Sequence, residues 1–427
     1  MIRASRALGF GGTVIGGRVL LAIDGDALAN LRGRRAIALV SGTNGKTTSA
    51  ALLSAAARSL GPVTSNYVGA NLATGIATTL ALGHPDATAI LEVDEAVIPR
   101  AIEQLRPEVV VLLNLSRDQL DRYGEVRTTA AAWTAALRTF DGAVVANADD
   151  PLVVWPALAA APARVTWVGA GAPWTDDAAT CPACGSRISR AGDDWSCTQC
   201  AFRRPTPCVQ LTGDTLCLPN GSALTMALRL PGRCNQANAA MAAGAAMALG
   251  VQPAVAIAAF AGVEGVGGRY RVVGIGDVRA RLLLAKNPAS WLETLDLLQP
   301  SPTPLLIALN ADGADGRDPS WLWDVPFDRL DGRPIWVTGK RATDLAVRLH
   351  YAGVPFQLSP ADPVAAARAL PPGNADVVAN YTAFCRLASL SPHSGRARPG
   401  RAFTTAAWRG AAALARPRRE AAWRPAR

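Results

Sequence analysis

The sequence has few lysines and histidines, and it lacks a long uninterrupted apolar run. A membrane span needs roughly 18 consecutive apolar residues, and the best candidate, residues 8–23, is interrupted by Arg18. No small-residue cleavage site follows this stretch, so it does not have the pattern of a secretory signal. We therefore expect a short N-terminal helix packed on the body of a cytoplasmic protein.

Acidic residues are scarce at the carboxyl end, and this explains most of the net charge of +10. Residues 396–427 hold nine arginines against one glutamate, a contribution of +8 that leaves about +2 for the rest of the chain. A body so nearly neutral offers no basic face for a phosphate backbone, which argues against nucleic acid as a partner. Residues 391–427 are rich in Arg, Ala and Pro with little periodicity, so we predict that they are disordered.

The order of patterns along the chain predicts an α/β fold. Short β-prone runs alternate with helix-like segments, as a parallel sheet requires. In the first part of the chain these runs are residues 36–40, 89–93, 109–114 and 143–146. After a Gly-rich stretch, further runs predict a second, smaller domain at residues 305–309, 334–337 and 376–379. We assign an N-terminal segment to 1–33, the first domain to 34–265 and the second to 266–390.

The strongest local signal is a glycine-rich loop between a strand and a helix. Seven consecutive residues form it: Gly42, Thr43, Asn44, Gly45, Lys46, Thr47 and Thr48. Small residues let backbone N–H groups approach phosphate oxygens at a helix N-terminus, where the helix dipole favours negative charge. Lys46 is expected to reach the β- and γ-phosphates of ATP, and Thr47 to offer its hydroxyl to Mg²⁺. Val40 stands where the general P-loop has glycine, so this is a variant loop; the alternative is a Gly-rich turn with a chance lysine.

Four of the eight cysteines form two close pairs whose spacing predicts a metal site. The pairs are Cys181 with Cys184 and Cys197 with Cys200, and 12 residues separate them. Two such pairs can bring four thiolates around Zn²⁺ in a tetrahedron. Because four protein ligands leave no position for water, the zinc is expected to be structural and to organise a small ribbon at about residues 178–205. The alternatives are redox pairs and a ribbon that binds nucleic acid.

Several motifs resemble those of the Mur ligases, which are ATP-dependent enzymes. The phosphate loop is the first, and the others follow in the order that the family predicts: residues 91–95, 114–125, 147–151 and 231–238. The resemblance implies an α/β fold with a Mur ligase central ATP-binding domain, an inserted zinc ribbon, and a smaller Rossmann-like α/β C-terminal domain. It also implies that Glu92 holds Mg²⁺ and that Asn238 contacts the adenine. The alternative for Glu92 is a solvated carboxylate at the end of a strand.

Two departures from the usual pattern narrow the resemblance. Only about 40 residues precede the loop, too few for the domain with which amino-acid-adding Mur ligases bind a uridine nucleotide. No lysine lies between Lys46 and Lys286, which excludes from the first domain the carbamylated lysine that those ligases often use. In both features the sequence resembles the MurT branch of the family, whose members are the ligase subunits of lipid II isoglutaminyl synthase. Later motifs agree with that branch: residues 284–289, 315–321 and 380–382.

Asp318 is the remaining catalytic candidate. It precedes Pro319 after a strand, so from the residues alone it could be a helix N-cap, because Asp is favoured there and Pro suits the first helical position. The resemblance implies instead that Asp318 completes the catalytic triad of a partner glutaminase by orienting the partner's histidine. This chain has only three histidines and no cysteine in a nucleophile-elbow context, so it is not the glutaminase. The implied partner is a class I glutaminase subunit, called GatD in this family.

The resemblance also implies a reaction. ATP would phosphorylate the α-carboxylate of D-glutamate in the lipid II stem peptide, at the inner face of the membrane. Ammonia from the partner would displace phosphate and give D-isoglutamine, with Mg²⁺ near Thr47 and Glu92 neutralising charge. Lys286 is a further candidate cation, with a surface lysine as the alternative. Two other functions stay open: a self-sufficient Mur-like ligase, and a zinc-ribbon ATPase that binds nucleic acid.

Overall fold

The computed structural model describes seven stretches of the chain, which fall within one compact unit, Thr13–Ser391. The described residues are 15–66, 70–118, 125–264, 270–298, 302–313, 315–330 and 332–390. Two of the predictions above lie outside them, the Gly-rich stretch at 265–268 and the disordered tail at 391–427. The domain boundaries stay predictions.

The first part of the chain alternates strands and helices, as predicted. Its strands are β1 (Ile37–Ser41), β2 (Val63–Ser65), β3 (Thr88–Glu92), β4 (Val109–Leu112), β5 (Ala143–Asn147), β6 (Val165–Gly169), β7 (Ile188–Ala191), β8 (Asp194–Cys197), β9 (Val209–Thr212), β10 (Thr215–Cys217) and β11 (Ala223–Thr225). Its helices are α1 (Ile15–Ile23), α2 (Ala27–Arg32), α3 (Lys46–Ala57), α4 (Ala73–Leu82), α5 (Ile98–Leu105), α6 (Val126–Leu137), α7 (Pro151–Ala157), α8 (Arg233–Ala248) and α9 (Pro253–Phe260). Short 3₁₀ turns cover Pro162–Arg164 and Asp176–Ala178.

A nine-stranded sheet carries this part of the chain, in the order β11-β10-β9-β6-β5-β4-β1-β3-β2. In this order the seven strands β9-β6-β5-β4-β1-β3-β2 pair in parallel, and β9, β10 and β11 pair antiparallel. The central strands are buried on both faces, which explains their continuous apolar sequences, such as Val109–Leu112. β1 lies between β3 and β4, where the strand order reverses. In an open α/β sheet this is the position at which ligands bind beyond the carboxyl ends of the strands.

Helices cover both faces of this sheet. Leu52 of α3 and Phe260 of α9 belong to the apolar core on one face, together with much of α8. Ile76 of α4, Ile98 of α5 and Trp133 of α6 belong to the core on the other face. The sheet is therefore the middle of three layers, and the phosphate loop emerges at its edge between α3 and the end of β1.

The predicted N-terminal helix is α1, which packs against α4. The amide of Gly17 donates a hydrogen bond to Thr78 Oγ1 at 2.8 Å. A β-carbon at Gly17 would lie only 1.8 Å from the carbonyl oxygen of Thr74, so glycine permits this close approach. Within the described ranges, every helix is too short or too polar to cross a membrane.

The second part of the chain forms a six-stranded sheet. Its strands are β12 (Tyr270–Ile275), β13 (Val278–Leu284), β14 (Leu305–Ala308), β15 (Ile335–Thr338), β16 (Gln357–Leu358) and β17 (Gly373–Ala379), in the order β12-β13-β17-β14-β15-β16. Its helices are α10 (Pro288–Leu297), α11 (Ala342–Tyr351), α12 (Pro363–Arg368) and α13 (Tyr381–Ala388), and 3₁₀ turns cover Ser320–Asp324 and Phe327–Leu330. All pairs are parallel except β12 with β13. The smaller α/β unit is thus confirmed, with a leading hairpin that the sequence analysis did not identify.

A buried ion cluster ties this second sheet together. The carboxylate of Asp376 on β17 is 1% exposed and contacts Arg281 Nε at 2.7 Å and Arg333 Nη2 at 3.4 Å. Arg281 also donates to the carbonyl oxygen of Leu297 at 2.6 Å. The carboxylate therefore neutralises buried guanidinium charge that would otherwise be uncompensated, and Arg281 connects β17 to β13 and α10.

We expect Asp376→Ala to destabilise the protein by about 3–5 kcal/mol, because removing one partner leaves buried charge uncompensated. In a thermal unfolding experiment this corresponds to a melting temperature lower by roughly 10 °C. The matched control is Asp344→Ala, which removes an exposed pair with Arg341 at 2.8 Å and should cost less than about 1 kcal/mol. Equal shifts for the two variants would contradict this interpretation.

Candidate functional site

The phosphate loop follows β1 and ends in the first turn of α3. Gly42 has φ 145° and Gly45 has φ 85°, conformations that favour glycine. Steric crowding also requires glycine at both positions. A β-carbon at Gly42 would lie 2.8 Å from Leu113 Cβ, and one at Gly45 would lie 2.1 Å from Asn238 Oδ1. The two glycines therefore shape the loop and let neighbouring side chains approach its backbone.

Residues 114–116, which follow β4, form hydrogen bonds with the backbone and side chains of the phosphate loop. Asn114 accepts from the amide of Asn44 at 2.9 Å and donates to the carbonyl oxygen of Asn44 at 3.1 Å. The hydroxyl of Thr43 donates to the carbonyl oxygen of Ser116 at 3.1 Å and accepts from the amide of Ser116 at 2.9 Å. The sequence analysis quoted this segment as part of a motif but gave Asn114 no role. We refer to residues 114–116 as the support segment.

Lys46 is buried and folds its ammonium group back onto the loop. Its Nζ donates to the carbonyl oxygens of Gly42 and Thr43 and pairs with the carboxylate of Glu95 at 3.0 Å. Burial alone would lower the pKa of Lys46, but the carboxylates of Glu95 and Glu92 outweigh it and raise that pKa. The lysine therefore carries its charge into the loop, where a phosphate would meet it.

Thr47 and Glu92 lie together at the ends of α3 and β3. The hydroxyl of Thr47 donates to Glu92 Oε2 at 2.9 Å, and Glu92 is 2% exposed. Asn66 fixes the strand end, since it donates to the carbonyl oxygen of Glu92 and accepts from its amide at 2.8 and 2.7 Å. Glu92 is thus not a solvated carboxylate. A hydroxyl beside a carboxylate supplies the oxygen ligands that Mg²⁺ prefers, so the residues present fit that ion.

Asn238 of α8 also reaches the loop. Its side-chain oxygen lies over Gly45 and accepts a hydrogen bond from Ser49 Oγ at 3.4 Å. This brings the residue to the helix end of the phosphate loop. The adenine contact that the resemblance implies for Asn238 stays a prediction.

Two residues of the second part of the chain contact this site. The side-chain amides of Asn44 and Asn287 exchange hydrogen bonds at 3.3 Å, and Lys286 Nζ pairs with the carboxylate of Asp118. Asn287 also caps α10, accepting from the amide of Ser290 at 2.9 Å. Lys286 is therefore not a free surface lysine, and Asn287 is a site residue to which the sequence analysis gave no role.

The four cysteines come together as their spacing predicts. The sulfur atoms of Cys181, Cys184, Cys197 and Cys200 all lie within 4.8 Å of one another, with 3.7 Å between Cys181 and Cys200 and 3.4 Å between Cys184 and Cys197. Four sulfurs at about 2.3 Å from a common zinc would be roughly 3.8 Å apart. The cluster therefore fits a closed zinc site, and β7 and β8 form the antiparallel hairpin of the ribbon.

Asp318 lies on the surface, away from any buried network. Its two carboxylate oxygens accept from the amide and the hydroxyl of Ser320, each at 2.8 Å, at the start of the 3₁₀ turn Ser320–Asp324. Nearby Asp315 differs, since it is buried and accepts hydrogen bonds from Thr382. Asp318 thus makes local bonds like those of a capping residue, although Pro319 is the N-cap itself, and its exposure leaves the carboxylate accessible to another protein.

Two family profiles match the chain. The Mur ligase middle domain matches residues 40–246, and the MurT ligase C-terminal domain matches residues 284–384. Among solved structures, a pseudomurein peptide ligase type C from Methanothermus fervidus has a TM-score of 0.64 at 17% identity, covering 82% of this chain and 77% of that one. MurF from Acinetobacter baumannii has a TM-score of 0.62 at 17% identity, covering 85% and 79%. These likenesses confirm the Mur ligase fold.

Curated relatives are closer. The chain is 31% identical to the lipid II isoglutaminyl synthase (glutamine-hydrolyzing) subunit MurT of Streptococcus pneumoniae, covering 81% of this chain and 83% of the relative. It is 29% identical to the subunit of the same name from Staphylococcus aureus (strain N315), covering 82% and 86%. On this identity and coverage, together with the match to the MurT C-terminal profile, the chain belongs to the MurT family of Mur ligases, ATP-dependent carbon–nitrogen ligases of peptidoglycan synthesis.

Proposed function

We propose that this chain is the ligase subunit that amidates the α-carboxylate of D-glutamate in the stem peptide of lipid II, giving D-isoglutamine. The observation that carries the proposal is the cluster of Lys46, Thr47 and Glu92 at the end of β1, in a chain of the MurT family. The names of the relatives, lipid II isoglutaminyl synthase (glutamine-hydrolyzing) subunit MurT, support lipid II as the substrate and glutamine as the source of nitrogen. A lipid-linked substrate would bring the protein to the inner face of the membrane.

The phosphate loop is the proposed ATP site. Its members are Gly42, Thr43, Asn44, Gly45, Lys46, Thr47 and Thr48, with Asn238 above Gly45. Lys46 would exchange its carbonyl and Glu95 partners for phosphate oxygens, and the loop amides at the start of α3 would face the same anion. Thr47 and Glu92 would hold Mg²⁺, which when bound neutralises charge on the transferred phosphoryl group.

The proposed reaction has two steps, and in both the residues of this chain position the reactants and stabilise negative charge. A carboxylate oxygen of the substrate attacks the γ-phosphorus of ATP, and the bond to ADP breaks. The ammonia nitrogen then attacks the acyl carbon, phosphate leaves and a proton is released. Lys286, which pairs with Asp118 near the phosphate loop, would stabilise negative charge on the acyl phosphate.

The cysteine quartet is proposed to hold a structural zinc ion. All four ligands are thiolates, so no position remains for a reacting water. Cys181 and Cys197 are buried, as suits a site that stabilises a small insertion.

The nitrogen source is proposed to be a separate class I glutaminase subunit of the GatD type. Ammonia would be released from glutamine in the partner subunit and used by the ligase site of this chain. The exposed carboxylate of Asp318 supports a shared site, because a histidine of the partner would have access to it from solvent.

The test is an amidation assay with lipid II, ATP and either glutamine or an ammonium salt, read by mass spectrometry. We expect the co-expressed pair to use both nitrogen sources and the chain alone to use only ammonium. Glutamine use by the chain alone, or ligation of a free amino acid, would identify a self-sufficient ligase. ATP turnover stimulated by DNA or RNA, with a steep salt dependence, would identify a nucleic-acid-binding ATPase instead.

A further inference from the structure

The zinc ribbon does not have an apolar core of its own. Its buried residues Ile188, Trp195 and Phe202 form one cluster with Val154 of α7, and Trp167 of β6 packs against it. The rings of Trp195 and Phe202 lie 4.9 Å apart. An insertion of this size buries too little surface to fold by itself, so the ribbon takes its stability from the metal and from the sheet's flank.

Two polar anchors join the ribbon to the loop that follows β5. Trp195 Nε1 donates to the carbonyl oxygen of Ala148 at 3.0 Å in a buried position. Arg204 Nε pairs with Asp149 Oδ1 at 2.6 Å, and the two side chains are 14% and 6% exposed. Asp149 also accepts from the amide of Gly171 at 2.6 Å. The anchors therefore end on consecutive residues, Ala148 and Asp149, of one short loop.

The same loop contacts the support segment beneath the phosphate loop. Asp150 Oδ2 accepts from the amide of Leu115 at 2.8 Å, and Leu115 lies between the two residues that hold Asn44 and Thr43. A second connection runs from Arg117, whose amide donates to Asp177 Oδ2 at 2.8 Å at the root of the ribbon. The ribbon is thus linked to the phosphate loop through hydrogen bonds that are joined by two short backbone segments, residues 148–150 and 114–116.

We propose that the zinc ribbon is a brace for the ATP site, in which Trp195 and Arg204 are positioning residues that fix residues 148–150 and, through them, the support segment. The inference rests on the proposed function, in which the loop binds ATP and the cysteines bind zinc. It goes beyond that function because it connects the zinc ribbon to the affinity of the phosphate loop for ATP. Loss of the brace lowers the affinity for ATP because the backbone of the phosphate loop, which the support segment holds at Thr43 and Asn44, is then less well ordered around the phosphates.

The experiment compares two adjacent arginines in the full chain. Arg204→Gln removes the pair with Asp149, whereas Arg203→Gln changes an exposed side chain of the same ribbon. Zinc content is measured by elemental analysis, and the affinity for a non-hydrolysable ATP analogue by calorimetric titration. We expect both variants to hold one zinc, with a dissociation constant about tenfold higher for Arg204→Gln and unchanged within about twofold for Arg203→Gln.

A second variant keeps the test decisive if Arg204→Gln does not fold. Trp195→Phe preserves the ring packing on Phe202 but deletes the donor to Ala148, and it should weaken ATP binding several-fold with zinc still bound. Wild-type affinity for either zinc-loaded variant would overturn the brace. Failure of the wild-type chain to bind the analogue at all would instead overturn the proposed function, and the brace with it.

Discussion

Replacing Lys46 with methionine is expected to lower ATP-dependent amidation by about 10³-fold, the scale seen when a preorganised donor to developing charge is removed. Lys46 is the lysine at the phosphate loop, and its ammonium already lies against the carbonyl oxygens of Gly42 and Thr43. Methionine has similar length and no charge, so the β- and γ-phosphates lose their cation while the volume is kept. The measurement is the rate of ADP release with saturating substrate.

The same substitution is expected to strengthen the pH dependence that Glu95 contributes to the stability of the protein. Burial raises the pKa of Glu95, and Lys46 is the charge that most opposes this increase. Without Lys46 the pKa of Glu95 rises further, so the folded state binds a proton more tightly than the unfolded state. The stabilisation is therefore complete below the ordinary carboxyl pKa of about 4.3 and is lost as pH rises through the folded pKa.

Two controls separate chemistry from folding. Lys340→Met changes an exposed lysine that pairs with Asp312 at 2.6 Å, and it should leave ADP release unchanged. The double variant Lys46→Met with Glu95→Gln should lose the part of the pH dependence of the melting temperature that Glu95 contributes, and it should remain inactive. Normal ADP release by well-folded Lys46→Met would contradict an ATP-binding role for this loop.

The sequence alone predicted those parts of the site whose residues lie close together along the chain. The phosphate loop and the strand before it were predictable because the glycines, lysine and threonine lie within seven residues. The pairing of Glu92 with Thr47 was within reach as well, because carboxyl ends of neighbouring parallel strands meet at one edge of a sheet. The cysteine quartet was predictable for the same reason, since its spacing limits how the sulfurs can meet.

Contacts between distant residues were not predictable in this way. Asn287 lies 243 positions from Asn44, and nothing in either local pattern specifies that the two amides meet. Glu95 lies in a quoted motif, yet its pairing with Lys46 depends on how β3 and α3 are arranged in space. Strands β9 to β13, each of which has an antiparallel neighbour, were missed because their partly exposed residues give a weaker signal than the continuous apolar runs of the central parallel strands.

A control for Asp318 requires a nearby carboxylate that makes no structural contact. Asp315 and Asp324 are the neighbouring carboxylates, but Asp315 is buried against Thr382, and Asp324 pairs with Arg117 at 3.2 Å. Substituting either would disturb the fold or a contact with the first sheet. Asp328, exposed on the next 3₁₀ turn, is a better matched control.

Asp318→Asn is expected to lower glutamine-dependent amidation by the complex about 10³- to 10⁴-fold, while amidation with ammonium salts continues at the wild-type rate. An asparagine in place of the acidic member of a triad no longer stabilises the charged histidine, and effects of this size follow. The fold should be kept, because an asparagine oxygen still accepts from the amide of Ser320. Glutamate release and amide formation are measured on the same samples.

The two nitrogen sources make this result specific. Asp328→Asn should behave as wild type with both, and Lys46→Met should fail with both, because ATP is needed whatever supplies the ammonia. Binding of the partner glutaminase to the Asp318→Asn chain is checked by analytical ultracentrifugation, so that loss of the complex is not mistaken for loss of chemistry. If the variant complex forms and still hydrolyses glutamine at the wild-type rate, Asp318 is only the cap of its 3₁₀ turn, and the partner's triad is completed by another residue.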